Sequence, residues 1–136
     1  MIISLLDNLK KMNQPAIEPI KDSDLQDFCL FLTRNLSNVR TADEWASAFR
    51  QHWGIEKPNN GFMLRDDGQI VGGIGAIYAQ RLVHSKPERF CNITSWCVLD
   101  QHRSQSMRLA MALTSQPGFH LPISHPLKWY RKCCNF

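Results

Sequence analysis

Apolar positions change their spacing three times along this chain, and those changes mark its elements. Ala16-Ile-Glu-Pro-Ile20 reads as a short strand, with Pro19 confining it to a sheet edge or a strand end. Asp22-Ser23-Asp24 then supplies an N-cap, and Leu25, Phe28, Leu32 and Leu36 fall at helical spacing. A second helix opens at Thr41 with Glu44 three residues on, the capping-box pattern. Trp45, Phe49 and Trp53 share its apolar face as core, and Gly54 offers a stop. After Pro58-Asn-Asn-Gly61 the period falls to two. Phe62-Met-Leu-Arg65 and the run from Gln69 to Tyr78 flank Asp67-Gly68, a pair favoured in two-residue hairpin turns. Gly72, Gly73 and Gly75 lie inside that second strand rather than before a helix, so they predict a bulge or a close backbone approach, not a nucleotide loop. His84-Ser-Lys-Pro-Glu-Arg89 reads as an exposed polar loop. Phe90 to Leu99 is the last clear strand, and Ser104 to Ser115 the last clear helix.

Composition narrows the class. A length of 136 residues with 43% hydrophobic and 10% aromatic content suits one globular domain. No apolar run is long enough to cross a membrane. Met1-Ile-Ile-Ser-Leu-Leu-Asp7 meets an acid too early for a signal peptide and reads as a short amphipathic helix. Cys29, Cys91, Cys97, Cys133 and Cys134 are odd in number and irregularly spaced, which suggests reduced thiols in a cytoplasm. Neither C-x-x-C nor paired histidines at ligand spacing occurs, so no metal site is expected. Cys29, set among Phe28, Leu30 and Phe31, is expected in the core, and packing is also the default for Cys97. Charge is uneven: Asp100 is the last acidic residue, and beyond it stand Arg103, Arg108, Lys128, Arg131 and Lys132. Asp43, Glu44 and Glu56 are read as solvated surface.

The chemistry-bearing stretch runs from Cys97 to Leu113. A strand enters a small polar turn, and a helix opens from that turn. The first N–H groups of a helix lack intrahelical partners, and the macrodipole there favours negative charge. Such a junction is an anion cradle of the kind that holds phosphates. Its alternative is an ordinary N-cap at Ser104 or Ser106 over an empty turn.

Element order and this junction together resemble the N-terminal two-thirds of the GCN5-related N-acetyltransferase superfamily, over roughly residues 16–118. That family's turn reads Gln or Arg, two residues of any kind, Gly, any residue, then Gly or Ala. In this chain Arg103 holds the first position, Ser106 stands where Gly is usual and Arg108 where Gly or Ala is usual; Val98 matches the apolar strand residue upstream. The resemblance implies an α+β fold: a mixed, mainly antiparallel sheet flanked by helices, lacking the C-terminal strands. It implies acyl transfer from acetyl-CoA, or another acyl-CoA, to a primary amine on a small molecule or protein. The strand around Trp96, Cys97 and Val98 would pair with the pantetheine arm, and an N–H there would stabilise the oxyanion. Arg103, Ser104, Gln105, Ser106, Met107 and Arg108 would hold the pyrophosphate. Serine costs little room in such a turn, whereas the Arg108 side chain must swing clear of the phosphates or bind them.

The end departs from that family, which continues with a fifth strand, a fourth helix and a closing hairpin. After Leu121 the chain has two prolines, a Cys-Cys pair and no convincing period. One codon choice for this stretch, read one base earlier, gives Thr-Asp-Leu-Thr-Pro-Ser-Lys-Val-Val-Pro-Glu-Val-Leu-Gln-Phe, a strand, turn and helix. The expected organisation is therefore an extension over 1–15, an incomplete acyltransferase domain over 16–121, and an atypical, frameshifted or truncated tail over 122–136. The fourth strand would then be an exposed edge open to homodimer pairing, and catalysis by the chain alone would be weak. No residue, Tyr130 included, is marked as the general acid. Two rivals stay open: a non-catalytic acyl-CoA- or partner-binding module, and, remotely, a nucleic-acid-binding protein using its basic tail with Trp129 and Tyr130.

Overall fold

The computed structural model describes residues 4–6, 9, 14–51 and 55–121. Trp53, Gly54 and the tail over 122–136, with Trp129, Tyr130, Cys133 and Cys134, lie outside the described residues, as does most of the extension over 1–15. Ser4–Leu6 and Leu9 are helical. No helix among the described residues is long and apolar enough to cross a membrane.

From residue 16 onward the elements are β1 (Ala16–Pro19), α1 (Leu25–Asn35), α2 (Ala42–Arg50), β2 (Gly61–Asp66), β3 (Gln69–Val83), β4 (Lys86–Val98) and α3 (Ser106–Thr114). Short 3-10 turns, Asp22–Asp24 and Asp100–Gln105, lead into α1 and α3. The strands form one antiparallel sheet in the order β1-β2-β3-β4. Helices cover both faces, an α+β arrangement in three layers.

Two apolar clusters hold the layers together. On one face α1 and α2 bury Phe28, Leu32 and Phe49 against Met63 and Cys97; on the other α3 buries Leu109 and Leu113 against Leu64, Ile74 and Val98. Each such side chain stabilises the fold by about 1.5–3 kcal/mol when fully buried. Cys29 is fully buried, and burial pushes its thiol up to about 11. Cys91 is pushed to about 11 by the same cause, so neither is a thiolate at neutral pH.

Local chemistry sets several boundaries. Pro19 closes β1, an edge strand, where its missing N–H breaks no ladder beyond. Thr41 Oγ1 accepts the Glu44 N–H at 3.2 Å, the expected cap of α2. At α1 the expected start shifts: the Lys21 N–H donates to the Asp24 carboxylate at 3.0 Å, and Asp22–Asp24 winds as a 3-10 turn before the α-helix begins. Asp67 and Gly68 both take positive φ, 50° and 77°, as the β2–β3 turn requires. The loop expected at His84–Arg89 is instead a two-residue turn. His84 and Ser85 adopt φ of 49° and 65°, and Val83 already pairs with Lys86. Tertiary register places two ordinary residues where Asn-Gly would be usual.

A charged knot fastens the loop before β2. Lys57 Nζ donates to the Phe49 carbonyl at 2.8 Å and to Asn60 Oδ1 at 2.7 Å, and lies 3.1 Å from Asp22 Oδ1. Hydrogen bonds from Asn60 and Lys57 hold the Asp22 carboxyl below its ordinary value. Its contribution to stability is therefore present above the usual carboxylate range and fades as pH falls through the depressed folded value. Lys57→Met is expected to lower stability by about 2 kcal/mol through the two charge-assisted bonds. It should also weaken the acid dependence set by Asp22. Urea unfolding at pH 7 and pH 3 measures both.

Candidate functional site

The expected site begins on β4, where the ladder is interrupted. Gly75 pairs with Ser95, and the next pair is Ala76 with Ile93, so Thr94 is the extra residue of a β-bulge. A Cβ built on Gly75 would stand 2.4 Å from Ser95 Oγ, 2.7 Å from Phe49 Cζ and 2.8 Å from Thr94 Oγ1. Glycine is therefore required here by close approach, as the strand glycines had suggested. Both hydroxyls are buried without a hydrogen-bond partner, each an omission worth about 1–3 kcal/mol.

Beyond the bulge, the Leu99 N–H donates to the Val71 carbonyl at 2.9 Å. Alternation of an antiparallel ladder then turns the main chain of Cys97 toward β3 and that of Trp96 and Val98 toward the outer edge. Cys97 is buried on the α1–α2 face and Val98 on the α3 face, while Trp96 is half-buried. Cys97 packs in the cluster under α1 and α2, and Trp96 and Val98 in the cluster under α3.

The polar turn differs in detail from the expected open cradle. Leu99 caps it, and the His102 N–H already donates to the Leu99 carbonyl at 2.9 Å. The Ser106 N–H donates to the Arg103 carbonyl, so helical winding starts before Ser104. Arg103 pairs with Asp100, and His102 Nε2 lies 3.5 Å from Asp66 Oδ2. Ser104 and Met107 are exposed. Ser106 is buried, and its hydroxyl has no hydrogen-bond partner. Arg108 swings away from the turn: it donates to the Pro15 carbonyl at 2.8 Å and to Gln105 Oε1 at 2.9 Å. Ser104 through Arg108 thus cluster at the start of α3, with the Arg108 charge spent on tying that helix to the entry of β1. The Ser106 hydroxyl is enclosed, and the internal bond at the Ser106 N–H leaves the turn tighter than a glycine-rich one.

Phe119–Leu121 returns beside β4 in a parallel sense. The His120 N–H donates to the Arg89 carbonyl at 2.8 Å, and the Cys91 N–H to the His120 carbonyl at 2.9 Å. Phe119 meets the Tyr78 ring edge-on at 4.9 Å, and His120 Nε2 lies 2.8 Å from Glu88 Oε2. The expectation of a bare β4 edge is corrected at this point, because Phe90 already has a neighbour.

A cleft of about 260 Å³ lies between α2 and the sheet, lined by Arg40, Glu44, Trp45, Phe49, Ile77 and Thr94 among others. Thr94 brings the bulge to its wall. Trp45 Nε1, like Thr94 Oγ1, is buried without a partner. The Arg40 guanidinium lies 6.0 Å from the centroid of the Trp45 ring. Glu44 is exposed, as expected of a surface residue, and stands at the mouth of this cleft. Trp45 packs against the core, as its helical spacing predicts, and also forms part of the cleft wall. Only the fold could reveal the cleft, since α2 and β4 are far apart in sequence.

No protein-family model matches the chain, and no curated protein matches it. Solved structures do. A ribosomal-protein-alanine N-acetyltransferase from Brucella melitensis biovar Abortus superposes with a TM-score of 0.58 at 15% identity, over 89% of this chain and 86% of that one. An aminoglycoside acetyltransferase from an uncultured soil metagenomic sample, solved with sisomicin, gives 0.56 at 18% identity, over 91% and 85%. A further aminoglycoside acetyltransferase of metagenomic origin gives 0.51 at 11% identity, over 89% and 87%. At these identities the likeness is one of fold: the chain has the α+β fold of the GCN5-related N-acetyltransferases.

Proposed function

We propose that the chain is an acyl-CoA-dependent N-acyltransferase domain, over residues 16–121, acting on a primary amine. The bulge at Thr94 and Ser95 opposite Gly75 carries this reading, because it lies just before an outward-facing strand edge that runs directly into the start of α3. The shared fold with N-acetyltransferases supports it. Acyl-CoA, when bound, supplies a thioester carbonyl carbon that bonds to the amine nitrogen as the C–S bond breaks, the amine losing one proton and the sulfur gaining one. The outer main chain of Trp96 and Val98 aligns the pantetheine arm by strand-like pairing. An N–H on that edge stabilises charge developing on the carbonyl oxygen. Ser104, Ser106 and the start of α3 receive the pyrophosphate, with Arg103 beside them. The buried Cys97 serves packing and no nucleophile is assigned, since the amine attacks the thioester itself.

Ser104 is exposed, so Ser104→Glu is expected to leave thermal stability unchanged while placing like charge beside the pyrophosphate. Acetyl-CoA affinity should fall at least tenfold, about 1.4 kcal/mol, measured by calorimetric titration. An unchanged affinity would remove the turn from the binding site.

One observation favours a second reading. The Ser106 N–H is engaged by Arg103, and the Arg108 guanidinium is held by Pro15 and Gln105. A turn so closed suits a module that binds acyl-CoA weakly and transfers nothing. Saturable acetyl-CoA binding with no acetylated product from any amine would select that module.

A further inference from the structure

The cleft between α2 and the sheet carries two opposite charges, Arg40 and Glu44, that form no ion pair among the described residues. Among those residues the Glu44 carboxylate accepts only the Thr41 hydroxyl, at 3.3 Å. Arg40 stands beside Trp45, whose buried indole N–H has no acceptor. The exposed Arg40 guanidinium on the cleft wall makes a place for an anion. The exposed Glu44 carboxylate on the same cleft makes a place for an ammonium, and Thr94, also on its wall, belongs to the bulge that precedes Trp96–Val98. Phe49, Ile77 and the Trp45 ring supply apolar surface around both. The cleft of about 260 Å³ has room for a molecule of amino-acid size, and a more open hollow of about 510 Å³ shares Arg40, Glu44, Ala48 and Ile77 with it.

We infer that this cleft takes a small zwitterionic amine of the amino-acid type, its carboxylate toward Arg40 and its ammonium toward Glu44. That this molecule is the acceptor of an acyl group rests on the acyltransfer reading above; that it binds does not.

The test is a titration of the isotope-labelled full chain, followed by NMR, with phenylalanine and leucine and with their decarboxylated counterparts, phenethylamine and 3-methylbutylamine. Acetyl-CoA is titrated in parallel. The amino acids are expected to bind at least tenfold more tightly than the amines and to move the Trp45 indole N–H resonance, assigned through Trp45→Phe. Arg40→Gln should erase the preference for the carboxylate-bearing member of each pair. Glu44→Gln should weaken all four probes while leaving acetyl-CoA binding as it was. Both side chains are exposed, so neither variant should unfold the chain. Amines binding as tightly as amino acids, or acetyl-CoA binding with none of the four, would overturn the assignment. Amino-acid binding without any acetyl-CoA binding would support the cleft and sink the acyltransfer reading.

Discussion

Gly61→Ala is expected to be the most damaging single substitution in the described fold. Gly61 opens β2 at a φ of 112°, a conformation that L side chains rarely adopt. A Cβ there would lie 1.9 Å from the Ile74 carbonyl oxygen and 3.0 Å from Gly75 Cα. Both are backbone atoms, so no side chain can yield. The same residue is tied on every side. Its carbonyl accepts the Ile20 N–H at 2.8 Å, and its N–H donates to Asn59 Oδ1 at 2.9 Å. Asn59 Oδ1 in turn accepts the buried Tyr78 hydroxyl at 2.6 Å. Moving the strand start therefore disturbs β1, β3 and the Asn59–Tyr78–Gln116 network together. Dihedral strain contributes about 1–3 kcal/mol and the overlap about 1–3 more. A total near 4 kcal/mol is a large part of the 5–15 kcal/mol typical of a folded domain. Thermal unfolding should show either a midpoint lowered by ten degrees or more, or no cooperative transition at all. A midpoint within two degrees of the parent would mean that the strand start is not built as described.

The second large effect is expected at Gly75, and it falls on the site as well as on stability. Gly75→Ala puts a methyl group against two hydroxyls and the Phe49 ring, all under 3.0 Å. Side chains can give here, unlike at Gly61, so the cost should be smaller, about 1–3 kcal/mol. What gives is the bulge. Ser95 and Thr94 must be pushed outward, or Phe49 must tilt away from its edge contact with Phe28 at 6.0 Å. Either movement re-aims the outer main chain of Trp96 and Val98 and narrows the cleft beside Trp45. A displacement of about 1 Å in a reacting geometry can cost about a hundredfold in rate. On the proposed reading, kcat with any acetylated amine should fall far more than the loss of stability explains, at a temperature where the variant is fully folded. Gly72→Ala serves as the comparison. Its added Cβ meets Val98 and Leu64 methyl groups at 3.1–3.2 Å, tight but not overlapping, so it should perturb stability with little effect on rate.

Much of the fold was legible because local chemistry and tertiary structure agree. Thr41 with Glu44, Asp67 with Gly68, and Pro19 each have one strongly preferred local state, and the fold uses that state. The three strand glycines also announced close approach, and Gly73 indeed leaves room for Phe28, whose Cε2 would lie 2.3 Å from an added Cβ. Legibility failed where distant residues decide. His84 and Ser85 have no intrinsic reason to adopt left-handed backbone; the pairing of Val83 with Lys86, fixed by the whole β3–β4 ladder, imposes it. The polar turn before α3 starts at Asp100 rather than Ser104, since Leu99 caps it from the strand side. The fate of Arg108 could not be read from its neighbours, because its acceptor is the carbonyl of Pro15, 93 residues away. The Arg40–Glu44–Thr94 cleft is likewise a product of sheet order, which sets β4 under α2.

Acetyl-CoA titrated into the labelled chain, read amide by amide, tests the central claim most directly. The account predicts saturable binding, with the largest shifts at Trp96–Val98 and Arg103–Arg108 and smaller ones at Thr94 and Ser95. It also predicts a midpoint of unfolding that rises with acetyl-CoA concentration, as binding to the folded state requires. No shift at millimolar acetyl-CoA, or shifts confined to residues away from β4 and the start of α3, would contradict an acyl-CoA site on this edge.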